Sequence, residues 1–359
     1  MIEPLPAHGG QLRQLAERFG LPAAALLDFS ANINPEGPPP GVLSALRESL
    51  ADPAALTQYP DLDEKELRLA IARYAGAAPE QIVVANGFVP LLEASLRALG
   101  VRRCLLPEPC FREYRSALER ARVEIVGRRL DAERDFLLDS ESLRLEGEDA
   151  VLLANPQNPS GVLRRREELL EFAAMAGRRN ARLLLDEAFI DYAPEDSLAR
   201  DVQSMPNLIV FRSVTKFFGM PGIRAAYAAA HPDVARAIQE CLAPWLIATL
   251  ASRAVCAALG DLDYAQRARA LNRERGLGLR ARLDALGLRV YPSAANFLLF
   301  RLPGGVDATA CWIRMIAEFR IVLRHCGNYP ALPPGHLRAA VRRKEENDRL
   351  AQALASALH

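Results

Sequence analysis

The stretch SVTKFFGMPGIR, residues 213–224, carries a lysine just beyond an apolar run, and this lysine decides how the rest of the chain is interpreted. The preceding residues, PNLIVFRS (206–213), have the β-branched and aromatic content of a buried strand, and the following Gly-Met-Pro-Gly predicts a turn. Lysine is rare in this chain and occurs only as Lys65, Lys216 and Lys344. Because a lysine seldom lies at the end of a buried strand, Lys216 is a candidate functional residue.

Length and composition limit the class of protein. A chain of 359 residues is long enough for two domains, and its 50% hydrophobic and 25% charged residues are typical of globular proteins. The formal net charge of +1 gives no basis for electrostatic binding of nucleic acid or of an anionic membrane. The first residues lack a signal-peptide pattern, and the apolar stretch at 241–251 is too short to span a bilayer, so we expect a cytoplasmic protein.

The cysteines and histidines do not form the pattern of a metal site. Six cysteines and five histidines are scattered, without a CxxC pair, so we expect no bound metal. In a chain of this length the cysteines indicate buried thiols in a reducing compartment rather than a disulfide framework.

Strand-like and helix-like segments alternate through the first two thirds of the chain, which predicts an α/β fold. The predicted strands are QIVVANG (81–87), RRCLLPEP (102–109), VEIVGRRL (123–130), DAVLLA (149–154), ARLLLDE (181–187), PNLIVFRS (206–213) and RAAYAAA (224–230). These are apolar runs rather than alternating patterns, which indicates strands covered on both faces and therefore a mostly parallel, seven-stranded sheet.

Composition changes divide the chain into three predicted parts. Residues 1–40 are rich in Pro and Gly and predict an extended N-terminal arm that packs with the small domain. Residues 41–232 form the large domain, and residues 233–359 form a connecting helix near 261–286 followed by a smaller α+β C-terminal domain.

Polar residues follow four of the predicted strands at the point where each strand ends. They are Asn86-Gly87, Asn155 to Asn158, Asp186-Glu187 and Ser213 to Lys216. Ligands of an open parallel sheet bind at the carboxyl ends of its strands, so we expect these groups to form one site.

The chemistry of these groups matches pyridoxal 5′-phosphate. A lysine amine such as that of Lys216 can form a Schiff base with an aldehyde cofactor. A carboxylate is the usual partner of the pyridinium nitrogen, and Asp186 has the expected position for this role. Asn158 can donate a hydrogen bond to the phenolic oxygen of the cofactor.

The remaining parts of the cofactor also have candidate partners. Ser213 and Arg224 can bind the phosphate. The backbone N–H groups of the turn after Asn86, at Gly87, Phe88 and Val89, can complete a phosphate cradle at a helix N-terminus, and Phe111 can stack on the ring.

Three motifs resemble the fold-type I pyridoxal-phosphate enzymes of the class I/II aminotransferase superfamily. They are NPQNPSG (155–161), DEAFIDY (186–192) and SVTKFFGMPGIR (213–224), and the resemblance extends over essentially the whole chain. The resemblance implies a large cofactor-binding domain, a smaller C-terminal domain, and Lys216 and Asp186 as catalytic residues.

The ends of the chain are similar to the threonine-phosphate decarboxylases of this superfamily. The similarity lies in HGG (8–10), DFSANINPEG (28–37), QYPD (58–61) and LRHCGNYP (323–330). It implies decarboxylation of L-threonine O-3-phosphate to (R)-1-aminopropan-2-yl phosphate in cobalamin biosynthesis. The alternatives are an aminotransferase acting on histidinol phosphate or a related amino acid, and a non-catalytic relative that serves as a cofactor-binding or interaction protein.

Two features favour the decarboxylase over the aminotransferase, namely the HGG motif near the N-terminus and the residue at position 189. Histidinol-phosphate aminotransferases usually have a tyrosine where this chain has Phe189. One feature departs from the superfamily: the cradle sequence is ANGFV (85–89) instead of a GNGET-like motif, so a side-chain hydroxyl is missing at Val89 and we expect weaker cofactor binding.

The resemblance also implies the substrate-binding residues. Arg324 and Arg338 would hold the acidic ends of a phosphorylated amino acid, with Asn158 close to it. His8 and Asn32 of the N-terminal segment would close over the substrate. Tyr59 would reach the cofactor phosphate of a neighbouring subunit, which requires a homodimer with shared active sites.

Overall fold

The computed structural model of the chain describes residues 5–139 and 143–358. Its strands are β1 (Leu27–Asp28), β2 (Ile82–Ala85), β3 (Arg103–Glu108), β4 (Glu124–Arg129), β5 (Ala150–Ala154), β6 (Arg182–Asp186), β7 (Leu208–Ser213), β8 (Ala226–Ala230), β9 (Arg289–Val290), β10 (Phe297–Arg301), β11 (Ile321–Val322), β12 (Arg324–His325) and β13 (His336–Ala340).

The α-helices of the described residues precede, connect and cover these strands. They are α1 (Leu12–Phe19), α2 (Pro40–Ala51), α3 (Ala54–Thr57), α4 (Lys65–Ala75), α5 (Phe88–Ala98), α6 (Arg112–Arg120), α7 (Arg166–Arg178), α8 (Val214–Phe217), α9 (Pro232–Glu240), α10 (Thr249–Gly260), α11 (Leu262–Ala285), α12 (Ala308–Ala317) and α13 (Lys344–Leu358).

A seven-stranded mixed sheet forms the larger core, in the order β2-β8-β7-β6-β5-β3-β4. β8 pairs antiparallel with both β2 and β7, and the other pairings are parallel. The prediction of a mostly parallel, seven-stranded α/β sheet is therefore confirmed.

The strands of this sheet are buried on both faces, which explains their continuous apolar sequences. In β6, Leu183 and Leu185 pack into the cluster that also contains residues of α2, α4, α7 and α10. Leu184 packs into the cluster on the opposite face with residues of α5 and α6. Because successive side chains of a strand point to opposite faces, a strand covered by helices on both sides needs apolar residues at every position.

The C-terminal part has its own sheet and apolar core. β12, β13, β10 and β9 pair antiparallel in that order. Helices α12 and α13 and the second half of α11 cover this sheet, and α11 links the two cores because Tyr264 and Ala268 belong to the larger one and Leu279 and Leu283 to the smaller one. The division into residues 1–40, 41–232 and 233–359 stays a prediction.

The N-terminal segment is not extended throughout, contrary to the sequence-based expectation. Residues Leu12–Phe19 form helix α1, which ends at Gly20 in a left-handed conformation with φ of 63°. Leu15 and Ala16 of this helix are buried in the smaller core, and β1 adds a parallel strand to β11. The four apolar residues of α1 recur at a spacing of three or four, which is a helical period that the local Pro and Gly content obscures.

Two structural absences hold within residues 5–139 and 143–358. No helix there is long and apolar enough to cross a membrane. In the same ranges, His, Cys, Asp and Glu side chains do not assemble in groups of three or more that could hold a metal ion.

Candidate active site

A cavity of about 460 Å³ lies at the carboxyl ends of β5, β6 and β7, between the large sheet and the smaller C-terminal sheet. It brings together thirteen of the fourteen residues predicted from the sequence to form the site. These are His8, Asn32, Gly87, Phe88, Val89, Phe111, Asn158, Asp186, Ser213, Lys216, Arg224, Arg324 and Arg338.

Tyr59 is the predicted site residue that lies outside this cavity. Its side chain is exposed, and its ring packs against Trp245 with a centroid distance of 4.7 Å. A role at the site of a neighbouring subunit requires a second chain, so this assignment stays a prediction.

Lys216 lies in the short helix α8, which begins directly after β7. Ser213 caps this helix, because its hydroxyl oxygen accepts from the backbone N–H of Thr215 at 3.3 Å. Burial, together with the nearby guanidinium groups of Arg224 and Arg338, lowers the pKa of Lys216 to about 8, although Asp186 opposes the shift. The unprotonated fraction of this amine near neutral pH is therefore much larger than that of an ordinary lysine, as a nucleophilic lysine requires.

Asp186 ends β6 and is held from two sides. The Tyr114 hydroxyl donates to Oδ2 at 2.5 Å, and the backbone N–H of Ala188 donates to Oδ1 at 2.9 Å. Burial raises the pKa of Asp186 to about 6, although both hydrogen bonds and Lys216 favour the ionised form. A cationic partner such as a protonated ring nitrogen would remove this cost of burying the carboxylate.

One end of the cavity is suited to a phosphate. Gly87 precedes α5 with φ of 129°, and a Cβ atom at this position would lie 3.0 Å from a terminal nitrogen of Arg224. The Ser213 and Thr215 hydroxyls are 2.8 Å apart at the same end. Because the first N–H groups of a helix lack partners within the helix, those of Phe88 and Val89 are available to an anion here.

The departure in the cradle sequence has a structural counterpart. The ring of Phe88 packs against Phe211 and Tyr114, with centroid distances of 5.4 and 5.6 Å. This residue therefore contributes a backbone N–H to the cavity and a side chain to the apolar packing next to it. Neither Phe88 nor Val89 offers a side-chain hydrogen bond to a phosphate.

Arg338 and Asn158 are joined by a hydrogen bond at the opposite end of the cavity. The guanidinium donates to Asn158 Oδ1 at 2.7 Å and lies over the ring of Phe297, 4.9 Å from its centroid. Since the oxygen of the Asn158 amide faces Arg338, its NH₂ group remains a donor for other partners. Within the described residues, Arg338 Nε is buried without a hydrogen-bond partner, which suits an anionic ligand.

Arg324 lines the cavity but is already occupied by protein groups. Its terminal nitrogens donate to the carbonyl oxygens of Pro6, Ala7 and His325 and to Asn328 Oδ1, at 2.6 to 3.0 Å. These four bonds use the four terminal N–H groups of the guanidinium. In this structure Arg324 therefore fixes the N-terminal arm, and its role in binding substrate stays a prediction.

The arm places His8 at the mouth of the cavity. His8 Nε2 lies 3.1 Å from Glu113 Oε1, and its ring is 6.3 Å from that of Phe111. The next residue, Gly9, packs so closely on the Ser30 backbone that a Cβ atom would lie 2.0 Å from its carbonyl oxygen. The HGG motif thus has a steric reason, because any other residue at position 9 would push the arm away.

Asn32 and Phe189, the residue that distinguishes the two candidate activities, are nearly inaccessible to solvent. Asn32 is buried, and within the described residues its Oδ1 atom has no hydrogen-bond partner. Phe189 packs edge-on against Phe297, with a centroid distance of 5.0 Å, and presents no hydroxyl to the cavity.

Sequence reasoning missed four residues that contribute to this site: Tyr114, Tyr329, Thr215 and Glu113. Glu113 and Tyr114 lie in helix α6, which begins directly after Phe111. The local sequence does not show that this helix faces the end of β6. Thr215 directly precedes Lys216, and this position in the sequence could have identified it as a site residue. Tyr329 lies within LRHCGNYP, where its contacts depend on tertiary packing.

The donor set fits pyridoxal 5′-phosphate. Asp186 would hold the ring nitrogen, the free NH₂ group of Asn158 the phenolic oxygen, and Lys216 the aldehyde carbon. The cradle at Gly87, together with Arg224, would hold the phosphate.

Comparisons with known proteins identify the family of the chain. The family model described as aminotransferase class I and II matches residues 24–354. The chain is 36% identical to the threonine-phosphate decarboxylase of Salmonella typhimurium, over 98% of this chain and 96% of that protein. It is also 36% identical to the histidinol-phosphate aminotransferase of Roseiflexus castenholzii, over 96% and 92% of the two chains.

A solved structure gives the same result for the fold. The histidinol-phosphate aminotransferase of Clostridium acetobutylicum superposes with a TM-score of 0.86 at 28% identity, covering 93% of this chain and 99% of that one. The fold class predicted from the sequence is therefore confirmed.

The lowered pKa of Lys216 predicts preferential labelling of this residue. In the cofactor-free protein, the rate of reductive labelling with pyridoxal phosphate and borohydride should rise with pH through about 8, because only the unprotonated amine reacts. Arg338→Gln removes a nearby cation and should move the midpoint to higher pH. Peptide mass spectrometry measures the labelling, with Lys65 and Lys344 as internal references. A Lys216 midpoint above pH 10 would contradict the prediction.

The close packing of Gly9 predicts that Gly9→Ala displaces the arm. Hydrogen exchange of the peptide covering residues 5–16 should become faster, because the new methyl group overlaps the Ser30 carbonyl. Gly41→Ala is the matched control, since a Cβ atom there has no heavy atom within 4 Å. Equal exchange in the two variants would show that the arm tolerates a side chain at position 9.

Proposed function

Because the chain belongs to the aminotransferase class I and II family, we propose that it is a pyridoxal-phosphate-dependent enzyme that decarboxylates L-threonine O-3-phosphate. The product would be carbon dioxide and (R)-1-aminopropan-2-yl phosphate, the linker used in cobalamin biosynthesis. The similarity to the Salmonella typhimurium decarboxylase supports this substrate.

One observation carries the proposal: the cavity holds more guanidinium groups than the cofactor requires. Arg224 lies at the phosphate cradle beside Gly87, whereas Arg338 lies with Asn158 at the other end. Both guanidinium groups lower the pKa of Lys216, and both line the same cavity as this residue. A second cationic end suits a substrate with an acidic group, either a carboxylate or a phosphate.

When bound, the cofactor supplies an aldehyde that condenses with the substrate amine and a ring that accepts the electron pair left at Cα. The chain supplies the remaining functions. Asp186 holds a negative charge at the end of β6, and Lys216 Nζ can accept and return a proton near neutral pH. Arg338 orients the acidic end of the substrate and thereby selects which bond at Cα is broken.

The N-terminal arm limits access to this chemistry. Its carbonyl groups at Pro6 and Ala7 bind Arg324, and His8 binds Glu113 on the opposite wall. An arm fixed at both sides of the mouth reduces the entry of water, which strengthens the electrostatic interactions inside.

A second candidate function is amino transfer from histidinol phosphate to a 2-oxo acid. The relative from Roseiflexus castenholzii supports it at the same identity as the decarboxylase. Phe189 favours decarboxylation, because the tyrosine hydroxyl usual in those aminotransferases is missing at this position.

The two functions are separated by one assay. Purified enzyme with pyridoxal phosphate and O-phospho-L-threonine should release carbon dioxide without any 2-oxo acid. Arg338→Gln should lower kcat/KM by about 10- to 150-fold, the equivalent of one lost charge-assisted hydrogen bond. The matched control is Arg301→Gln on β10, whose guanidinium binds Glu133 outside the cavity.

Each outcome of this assay has a defined meaning. Amino transfer from histidinol phosphate to 2-oxoglutarate, without carbon dioxide release, would establish the second candidate. Failure of both reactions would overturn the assignment as an enzyme of this type.

We further propose a homodimer in which Tyr59 reaches the cofactor phosphate of the neighbouring subunit. Tyr59, Leu56 and Leu62 are exposed, and together with Trp245 they form an apolar surface that suits a protein partner. Tyr59 lies outside the cavity of its own chain. This position is necessary for a residue that reaches the cofactor of the neighbouring subunit.

The dimer predicts a specific effect of removing the Tyr59 hydroxyl. Tyr59→Phe should remain dimeric by light scattering but bind pyridoxal phosphate about 2- to 10-fold more weakly, since one hydrogen bond is lost. Trp245→Phe keeps an aromatic ring next to Tyr59 and serves as the control for packing. A monomeric wild-type enzyme with unchanged cofactor affinity in Tyr59→Phe would contradict the proposal.

A further inference from the structure

We propose that Tyr329 is a positioning residue that sets the separation between the guanidinium groups of Arg324 and Arg338, and hence the length of the phosphorylated amino acid that the site accepts. The inference rests on the proposed function for the identity of the substrate and on the predicted role of Arg324, whose bonds to the carbonyl groups of Pro6 and Ala7 must give way to an anionic ligand. Tyr329 is buried, lines the cavity, and follows β12 in the segment Asn328-Tyr329-Pro330.

The two arginines face each other in the smaller sheet. Arg324 of β12 and Arg338 of β13 are directly opposite partners in an antiparallel pair. Their side chains therefore start on the same face, with Cβ atoms about 5 Å apart. Like charges in this arrangement repel one another, so the site requires groups that hold the two guanidinium groups in place.

Tyr329 offers electron-rich groups to both cations. The Arg324 guanidinium lies 5.1 Å from the centroid of the Tyr329 ring, within the range of a cation–π interaction. The Arg338 guanidinium donates to the Tyr329 hydroxyl oxygen at 3.3 Å. One side chain thus contacts one arginine through its ring and the other through its oxygen.

Each arginine is also held on its far side by a different partner. Arg324 is bound by the arm carbonyls of Pro6 and Ala7, and Arg338 by Asn158. The Tyr329 hydroxyl also lies 3.5 Å from Oδ1 of Asn158, the residue assigned to the phenolic oxygen of the cofactor. Tyr329 is the shared contact, and its size determines how closely the two guanidinium groups approach.

This spacing has a chemical consequence. In an O-phosphorylated 2-amino acid the carboxylate and the phosphate are separated by a fixed number of bonds. O-Phospho-L-homoserine has one more carbon atom between Cα and the phosphate oxygen than O-phospho-L-threonine. It therefore needs a wider separation of the cationic groups. A rigid aromatic spacer selects the short members of this class, whereas a flexible aliphatic residue does not.

The test uses two substitutions that remove different parts of Tyr329. Tyr329→Phe removes the contact to Arg338 and keeps the ring beneath Arg324, whereas Tyr329→Leu removes the ring. Tyr291→Phe is the matched control, because Tyr291 is a buried tyrosine outside the cavity whose hydroxyl bonds to His336 at 2.8 Å.

Binding is measured by calorimetry on the cofactor-loaded enzyme after borohydride reduction, which prevents turnover. We expect the wild type and Tyr291→Phe to prefer O-phospho-L-threonine over O-phospho-L-homoserine. Tyr329→Phe should bind both ligands about 2- to 10-fold more weakly with little change in their ratio. Tyr329→Leu should lower the ratio at least fivefold. In turnover, Tyr329→Phe should raise KM more than it lowers kcat.

Several outcomes would overturn the inference. They are equal binding of the two ligands by the wild type, an unchanged ratio in a folded Tyr329→Leu, and equal losses in Tyr329→Phe and Tyr291→Phe. If Tyr329→Leu does not fold, Tyr329→Met, which also replaces the ring by a flexible side chain, is measured in its place with the same expected fall in the ratio. A wild type that discriminates in binding but releases no carbon dioxide contradicts the proposed decarboxylation and leaves the role of Tyr329 supported.

Discussion

The parallel pairing of β5, β6 and β7 is the constraint on which the site depends. Ala154 lies opposite Asp186, and Asp186 lies opposite Phe211, so the three strands end at the same edge of the sheet. The residues that follow them, among them Asn158 and Lys216, must then converge. The apolar strands keep this edge rigid because they are covered by helices on both faces.

A network of buried charges holds the segment that follows Asp186. Asp191 binds Arg212 of β7 and accepts a hydrogen bond from the Tyr74 hydroxyl at 2.7 Å. Glu187 accepts from the Ser197 hydroxyl and from the backbone N–H of Leu198. Burial raises the pKa of Glu187 to about 7, and Arg212 opposes this shift. The loop after β6 is thus tied to β7, which fixes the position of Asp186 relative to Lys216.

The smaller sheet and the N-terminal arm complete the cavity from the other side. β12 and β13 present Arg324 and Arg338, and the arm is bound to Arg324 by two of its carbonyl groups. Gly9 allows this close approach because it has no side chain. The cofactor end is therefore built by the large sheet, and the substrate end is built by elements that are distant in sequence.

The sequence by itself determined the α/β alternation and the residues at the cofactor end of the cavity, because strand periodicity and the polar residues at strand ends are local signals. The predicted residues of the substrate end, His8, Asn32, Arg324 and Arg338, followed only from the resemblance to the superfamily. The sequence did not reveal helix α1, whose apolar spacing is surrounded by Pro and Gly. It also gave no indication that Tyr114 binds Asp186, that the arm occupies Arg324, or that Tyr329 lies between two arginines. Contacts of this kind join residues that are far apart along the chain or lie on neighbouring strands, and packing alone decides which side chains meet.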